Sequence, residues 1–224
     1  MKITYDHYFG QQEKNSLQLY HANLQCEPHE ESEALASGWL WYNGGWYQSR
    51  STRIVLKDWK YLQTVYDYDV RFVDVPNEEY KRLWEKYLYD KKFKPLYDPF
   101  VISERDAWME YYWRGCAFPD ALRGFTKFIK YIGGLESQFN AYILHVQWEF
   151  GAEMLHHEVQ YAQSLGLQHL YIGSGYEKSS VYKAHLSGFE WWNGSEWSRD
   201  KNKYIELCKR DSSITTIEQL SSIA

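Results

Sequence analysis

Cysteines, long apolar runs and linker-like segments are scarce in this 224-residue chain, and each scarcity excludes a class of protein. The three cysteines (Cys26, Cys116 and Cys208) are far apart and form no CxxC pair, which argues against a disulfide framework and a zinc knuckle. No apolar run approaches the ~20 residues of a membrane span, and the first residues lack the apolar stretch of a signal peptide. We therefore expect a protein of the reducing cytoplasm, without membrane association, metal or cofactor.

Lysine and arginine are fewer than aspartate and glutamate, 25 against 30. The net charge of -5 opposes a broad nucleic-acid groove, because phosphate binding depends on a positive field. It leaves room for a protein that grips only the end of an RNA strand. Aromatic residues are abundant, with 21 Tyr, 11 Trp and 10 Phe, and most such side chains fill cores and half-buried sheet faces.

The first 70 residues predict a small β-rich domain of short strands and turns. Residues 38–47 place two aromatic runs around Asn43-Gly44, the strongest short signal for a β-hairpin. Residues 53–56 predict a further strand. The remaining residues, 71–224, are expected to form a second domain.

Two helices are predicted after the β-rich segment. Asn77 is a good N-cap, and the apolar residues that follow it recur at helical spacing as far as Lys91 and Lys92. Ser103 and Asp106 have the spacing of a capping box, which predicts a shorter helix ending at Trp113.

The second half predicts an alternation of strands and helices. Strands are expected over residues 128–132, 139–146 and 169–173, with a helix from about residue 151 to Gly166 and a short helix over residues 179–186. A hairpin around Asn193-Gly194 follows. Because a strand–helix–strand unit makes a parallel crossover, this order predicts a mixed sheet and an α+β fold like that of GNAT acyltransferases.

The order of segments resembles that of the arginyl- and leucyl-tRNA–protein transferases, which attach an amino acid to a protein N-terminus. The family pattern YLYLGYW, MxYKAxF and GxW is similar to residues 169–176, 181–186 and 194–197 here, and its SLGT is matched by residues 149–152. Its N-terminal patterns are similar to residues 34–39, 47–50 and 53–55, and a family helix is similar to residues 83–90. The matches span most of the chain and keep their order.

The resemblance implies a GNAT-like fold and a set of candidate site residues. It gives Lys183 and Tyr182 catalytic roles, with the Lys183 ammonium holding the RNA end or the developing oxyanion. His145 and Glu149 lie at the strand–helix junction, where one of them could accept a proton. The candidate residues for binding substrate or tRNA are Arg50, Arg53, Trp39, Gly151, Ala152, Gly173, Ser174, Gly175 and Tyr176.

Four of these candidates also have a reason in the residues themselves. Gly151 and Ala152 begin a helix directly after a strand, and free N–H groups at such a start bind phosphate or an oxyanion. Gly173 and Gly175 permit close approach of the backbone to a ligand, although a tight turn explains them equally well.

Two departures from related patterns keep other functions open. The family's cysteine pair is absent, so the chain resembles a divergent member of that family. Phe150 stands where the CoA-binding loop of GNAT enzymes has its first glycine, which lowers the case for acyl-CoA. The favoured function is an aminoacyl-tRNA-dependent transferase acting on an amine of a protein, peptide or small molecule. An acyl-CoA-dependent N-acyltransferase and a non-catalytic interaction protein are the alternatives.

Overall fold

The chain adopts a mixed α+β fold. The computed structural model describes residues 1–4, 8–11, 17–20, 22–42, 44–48, 50–61, 68–92, 98–114, 121–144, 150–176, 178–211 and 213. The strands are β1 (Lys2–Thr4), β2 (Tyr8–Gln11), β3 (Leu17–Tyr20), β4 (Ala22–Gln25), β5 (Trp39–Tyr42), β6 (Gly45–Gln48), β7 (Ser51–Val55), β8 (Tyr68–Val73), β9 (Asp106–Trp113), β10 (Leu122–Tyr131), β11 (Gly134–Tyr142), β12 (His169–Ser174), β13 (Phe189–Trp192) and β14 (Trp197–Ser198). The α-helices are α1 (Glu31–Ala36), α2 (Glu78–Lys91), α3 (Phe150–Ser164) and α4 (Lys201–Asp211), and short 3-10 helices cover Pro28–Glu30, Leu56–Asp58 and Lys178–His185.

The strands form one large mixed sheet and two smaller ones. The large sheet has eight strands in the order β14-β13-β7-β12-β11-β10-β9-β8, and its β11–β12 pair is parallel whereas the other pairs are antiparallel. A four-stranded sheet has the order β1-β4-β6-β5, and β2 pairs with β3. The parallel pair confirms the crossover expected from the strand–helix–strand order.

Both faces of the eight-stranded sheet are covered. Successive side chains of a strand point to opposite faces of the sheet. On one face, Phe128 packs with the α3 residues Met154 and Val159. The adjacent Ile129 packs with the four-stranded sheet. Helix α2 packs against β10 and β11 of the large sheet, where the Tyr80 ring stacks on Phe125 with 4.5 Å between the ring centroids.

Local signals correctly located several elements. The Asn77 side chain accepts a hydrogen bond from the Glu79 N–H at the start of α2, as a helix N-cap does. Strands β5 and β6 form the hairpin predicted over residues 38–47, and β13 and β14 form the second hairpin. Helix α3 ends before Gly166, whose φ of 72° suits glycine.

The helix predicted from Ser103 to Trp113 is wrong, because residues 106–113 form strand β9. The local contacts of the predicted capping box are present: Ser103 Oγ donates to Asp106 Oδ1, and the Ser103 N–H donates to Asp106 Oδ2. They close a turn that leads into the strand. The following residues alternate between two cores, with Trp108 on one face and Met109 on the other, and this burial outweighs the local signal.

The strand predicted over residues 139–146 is displaced toward the N-terminus. Strand β11 begins at Gly134 and ends at Tyr142, and residues 145–149 lie outside the described residues. Strand β10, predicted over residues 128–132, covers Leu122–Tyr131 and forms a hairpin with β11 around Gly133.

The sheet draws on both sides of residue 70, where a domain boundary was expected. Strand β7, from the first quarter of the chain, lies between β12 and β13. Residues of the four-stranded sheet also share a core with Ile129, Tyr131 and Tyr171. The division into domains 1–70 and 71–224 stays a prediction. No helix in the described part of the chain is long and apolar enough to cross a membrane.

A buried carboxylate joins α1 to the β9–β10 region. Glu31 accepts hydrogen bonds from Arg105 Nη1 and Nη2 at 3.1 and 2.8 Å, and from the Ile132 N–H at 2.5 Å. The Arg105 guanidinium also lies 4.9 Å from the centre of the Trp41 ring. Since α1 packs on β5, these contacts connect the four-stranded sheet to the large one.

We expect Glu31→Ala to lower the free energy of unfolding by about 1–3 kcal/mol, because the Arg105 guanidinium and the Ile132 N–H lose a charged acceptor. Lys86→Ala is the matched control: it breaks the exposed i,i+4 pair with Asp90 and should cost under about 0.5 kcal/mol. Denaturant unfolding measures both. Equal losses in the two variants would contradict a connecting role for Glu31.

Candidate active site at the separation of two parallel strands

The two parallel strands of the large sheet separate almost as soon as they meet. Strands β11 and β12 pair only through Leu135 with Leu170 and Glu136 with Tyr171. Beyond Glu136, β11 continues for six more residues without pairing to β12. A crevice at the carboxyl ends of parallel strands is a common position for a ligand in sheets of this kind.

Helix α3 begins beside the carboxyl end of β11. A Cβ placed on Gly151 would lie 3.0 Å from the Tyr142 hydroxyl, so the helix start is in contact with the last residue of the strand. Ala152 is exposed and Gly151 is half-buried. The first N–H groups of the helix therefore lie at this edge of the sheet, as expected from the sequence.

Lys183 is buried beneath the end of β12. Its Nζ donates to the carbonyl oxygens of Ile172 at 2.5 Å and Ser174 at 2.9 Å, and it lies 3.4 Å from Thr52 Oγ1. The residue is 7% exposed. Burial lowers the pKa of Lys183 to about 8, against the opposing effect of Cys208 and Glu136.

These contacts explain the shape of β12. Its register against β7 shifts between Tyr171 and Ser174, and Gly173 adopts a φ of 70°. The Thr52 hydroxyl is 2.7 Å from the Gly173 carbonyl oxygen. Lys183 and Thr52 thus donate hydrogen bonds to backbone carbonyls at an irregularity of the sheet. Because these bonds occupy the ammonium group, Lys183 is not a solvated helix residue and cannot turn all of its N–H groups to a ligand.

Glu136 is the acidic partner that the sequence analysis missed. It is 1% exposed, and burial raises its pKa to about 7, although the Tyr131 hydrogen bond and the Lys183 charge act in the opposite direction. The Tyr131 hydroxyl donates to Glu136 Oε2 and accepts from the Trp41 N–H at 2.9 Å. A carboxyl group and an amine that titrate near neutrality, in one site, are typical of acid–base chemistry.

Tyr182, the neighbour of Lys183, faces outward instead. The residue is 58% exposed, whereas the atoms packed around its hydroxyl raise its pKa by desolvation, with further effects of Glu158 and Tyr142. Because more than half of the residue is exposed, a ligand can reach Tyr182. Tyr87 belongs to the same neighbourhood, since the hydroxyls of Tyr142 and Tyr182 add to the effect of burial in raising its pKa.

Gly175 and Tyr176 have structural partners. A Cβ on Gly175 would lie 2.2 Å from the Tyr204 hydroxyl, so close packing against α4 requires glycine here. Tyr176 is buried, and its hydroxyl accepts from the Arg50 N–H at 3.1 Å. Arg50 Nη1 donates to Asp211 Oδ2 at 2.5 Å and to the Gly175 carbonyl at 3.1 Å.

Arg53 and Trp39 each have packing partners within the fold. Arg53 donates two hydrogen bonds to Glu190 Oε2, at 2.9 and 2.7 Å, and its guanidinium lies 4.0 Å from the centre of the Trp197 ring. Trp39 is buried in the core of the four-stranded sheet. The structure therefore gives both residues packing partners at the positions where RNA contacts were expected.

Two of the predicted catalytic residues, His145 and Glu149, lie outside the described residues. Of the remaining candidates, Lys183, Tyr182, Gly173 and Ser174 lie at or beside the end of β12. Gly151 and Ala152 lie at the start of α3 across the separation. We refer to Glu136, Gly173, Ser174, Tyr182 and Lys183 as the strand-separation site.

Comparisons with known proteins identify no family for the chain. No protein-family model and no curated protein matches it. Among solved structures, L-PGS from Bacillus licheniformis has a TM-score of 0.45 and 9% identity, and the match covers 66% of this chain and 52% of that chain. A functionally unknown conserved protein from Staphylococcus epidermidis has a TM-score of 0.42 and 13% identity, over 77% of this chain and 68% of that one. The chain spans about half the length of the L-PGS chain, and neither similarity assigns an activity.

We expect Glu136 to make the stability of the protein fall as the pH rises from about 4.5 to 7. Its folded pKa of about 7 lies above the ordinary value of 4.5 for a glutamate, so the folded state keeps a proton that the unfolded state loses in this window. The effect is on the order of 3 kcal/mol. The free energy of unfolding should decline less in Glu136→Gln than in the parent between pH 5 and 7.5.

Glu85→Gln removes an exposed carboxyl from α2 and should retain the pH dependence of the parent. Parallel pH profiles for the parent and Glu136→Gln would contradict the raised pKa.

Lys183→Met should destabilise the fold by roughly 1–3 kcal/mol at neutral pH, because the carbonyls of Ile172 and Ser174 lose their donor. Lys81→Met, an exposed change on α2, should have little effect. Between about pH 8 and 10.5 the parent should gain stability relative to Lys183→Met, since the unfolded state keeps the proton that folded Lys183 releases. Unfolding curves at pH 7.5 and 9.5 measure both effects, and an unchanged Lys183→Met stability would contradict the buried role.

Proposed function

We propose that the protein is an aminoacyl-tRNA-dependent transferase that forms an amide bond between an amino acid and the amine of a protein, peptide or small molecule. The observation that carries the proposal is the separation of β11 and β12, with Tyr182 exposed and Lys183 and Glu136 buried at one side and the start of α3 at the other. The ordered resemblance to arginyl- and leucyl-tRNA–protein transferases supports the same function, and with it a GNAT-like fold.

The proposed reaction needs positioning more than strong acid–base help. The amine nitrogen attacks the ester carbonyl carbon, the bond from that carbon to the ribose oxygen breaks, and an amide forms. One proton passes from the attacking nitrogen to the departing ribose oxygen, so the products are an amide and a free tRNA 3′ end. Because an aminoacyl ester is already activated, alignment of the two reactants supplies much of the acceleration.

Each side of the site has a role in this proposal. The N–H groups at the start of α3, at Gly151 and Ala152, face the oxygen on which negative charge develops. The Tyr182 hydroxyl donates a hydrogen bond to the ester or to the ribose. Lys183 is a positioning residue that holds the end of β12, and the buried Glu136, which lies beside Gly173, supports the same strand end.

The proposed partners are the 3′ end of an aminoacyl-tRNA as donor and an amine as acceptor, in the cytoplasm. The net charge of -5 fits a contact restricted to the RNA end. The cytoplasmic location is proposed from the scattered cysteines, and neither Cys26 nor Cys208 forms a disulfide in the described part of the chain.

The donor is tested by incubating the full chain separately with labelled aminoacyl-tRNA mixtures and with labelled acetyl-CoA, and following transfer to candidate amines. Transfer from aminoacyl-tRNA alone is expected. Transfer from acetyl-CoA alone would favour the acyl-CoA-dependent alternative. No transfer from either donor, with the protein folded, would favour a non-catalytic interaction protein.

Tyr182→Phe tests the site itself. Loss of a hydrogen bond to developing charge should lower the transfer rate about ten- to a hundredfold, since such bonds contribute about 1.5–3 kcal/mol. Stability should stay within about 0.5 kcal/mol of the parent because Tyr182 is largely exposed. Tyr89→Phe removes a hydroxyl from an 83% exposed tyrosine on α2 and should leave transfer unchanged.

A uniform effect of the two tyrosine changes, or none from either, would place the chemistry elsewhere on the protein.

A further inference from the structure

A groove separate from the strand-separation site lies between the β13–β14 hairpin and α4. Its volume is about 620 Å³, within the roughly 300–1,000 Å³ typical of small-molecule sites. We call it the arginine groove; its lining includes Arg50, Tyr176, Trp191, Trp192, Asp200, Lys203 and Arg210.

Cations predominate among the charged residues of this groove. Arg50, Lys203 and Arg210 lie in the lining with one carboxylate, Asp200, and Lys203 Nζ is paired with Glu206 Oε1 at 2.8 Å. Asp200 is already engaged, because its Oδ1 accepts from the Lys203 N–H at the start of α4. The lining is therefore rich in donors and poor in free acceptors, which favours an anionic ligand.

The two arginines share one buried carboxylate. Asp211 accepts from Arg50 Nη1 through Oδ2, and from Arg210 Nε and Nη2 through Oδ1, at 3.3 and 2.9 Å. Two guanidinium groups against one carboxylate leave a positive charge at the groove wall. Asp211 also holds both guanidinium groups in place before any ligand arrives, so little side-chain freedom is lost on binding.

Aromatic rings form another part of the lining. Trp192 is half-buried, whereas Trp191 and Tyr176 are buried, and the Trp191 Nε1 donates to the Asp200 carbonyl at 3.0 Å. Trp191 and Tyr176 are fixed by these contacts, and Trp192 has the exposed surface on which a flat ring could stack.

We infer that the arginine groove binds a mononucleotide, with the phosphate at Arg50 and Arg210 and the base against Trp192. A phosphate monoester provides the acceptor oxygens that paired guanidinium groups recognise, and a nucleobase provides the flat ring. The inference does not depend on the proposed transfer reaction, because binding needs neither an amino acid donor nor an acceptor amine.

Calorimetry of the full chain with AMP, adenosine and inorganic phosphate, in low-salt buffer free of phosphate, tests the inference. AMP should bind at least about tenfold more tightly than adenosine or inorganic phosphate, and its binding should weaken as salt rises. No AMP binding up to millimolar concentration would overturn the inference. Equal binding of AMP and inorganic phosphate would overturn the role of the base and with it the ligand class.

Arg210→Ala should weaken AMP binding about ten- to a hundredfold, since charge-assisted hydrogen bonds to the phosphate are lost. Asp211 keeps Arg50 as a partner in this variant, and thermal unfolding verifies the fold. Lys209→Ala removes an exposed charge from the same helix outside the groove and should change binding less than about twofold. If Arg210→Ala does not fold, Lys203→Ala serves in its place, with an expected loss of about two- to fivefold.

Equal AMP affinities in the parent, Arg210→Ala and Lys203→Ala would overturn the assignment of the groove. Loss of the transfer reaction together with intact AMP binding would count against the proposed function alone.

Discussion

Burial of the Lys183 ammonium constrains the rest of the structure more than any other interaction. A charged group removed from water must be surrounded by acceptors, and here the acceptors are backbone carbonyls of Ile172 and Ser174. Those carbonyls are available only because β12 departs from regular pairing with β7 between Tyr171 and Ser174. The same irregularity needs Thr52 from β7. The shape of the end of β12 therefore depends on a neighbouring strand from the first quarter of the chain.

Buried carboxylates hold the other junctions, and each has a different kind of partner. Glu31 meets a guanidinium and a backbone N–H where the two sheets join, whereas Asp211 meets two guanidinium groups where α4 closes on Arg50. Glu136 has a tyrosine hydroxyl and only the more distant charge of Lys183. A neutral hydroxyl does not offset the burial of a carboxylate, so the pKa of Glu136 is raised and the group is poised to take up a proton. The difference in partners separates structural acids from the one at the candidate site.

The sequence was informative where local rules and burial agree, and misleading where they conflict. The hairpins, α2, α3 and the parallel crossover were predictable because turn residues, caps and apolar spacing point to the same elements. At Ser103 and Asp106 a capping pattern is present, yet the alternating burial of Trp108 and Met109 in two cores makes a strand.

The arginine groove was harder to predict. Arg50 and Asp211 are 161 residues apart, and no spacing rule connects them. In α4, the buried face formed by Tyr204, Cys208 and Asp211 follows helical spacing, so the burial of Asp211 was the one detectable signal.

Tyr182 and Lys183 show how adjacent residues of one motif can have different tasks. The resemblance treats the pair as a catalytic unit, yet the tight 3-10 helix over Lys178–His185 turns one side chain to solvent and the other inward. The inward lysine fixes the carbonyls of β12, and through them the position of the helix that carries the outward tyrosine. The placement of the tyrosine thus depends on the burial of the lysine. A substitution at Lys183 therefore disturbs Tyr182 through the backbone, so a loss of function at Lys183 alone would not identify it as a group that touches substrate. Only a change confined to the Tyr182 hydroxyl separates the contribution of Tyr182 from that of Lys183.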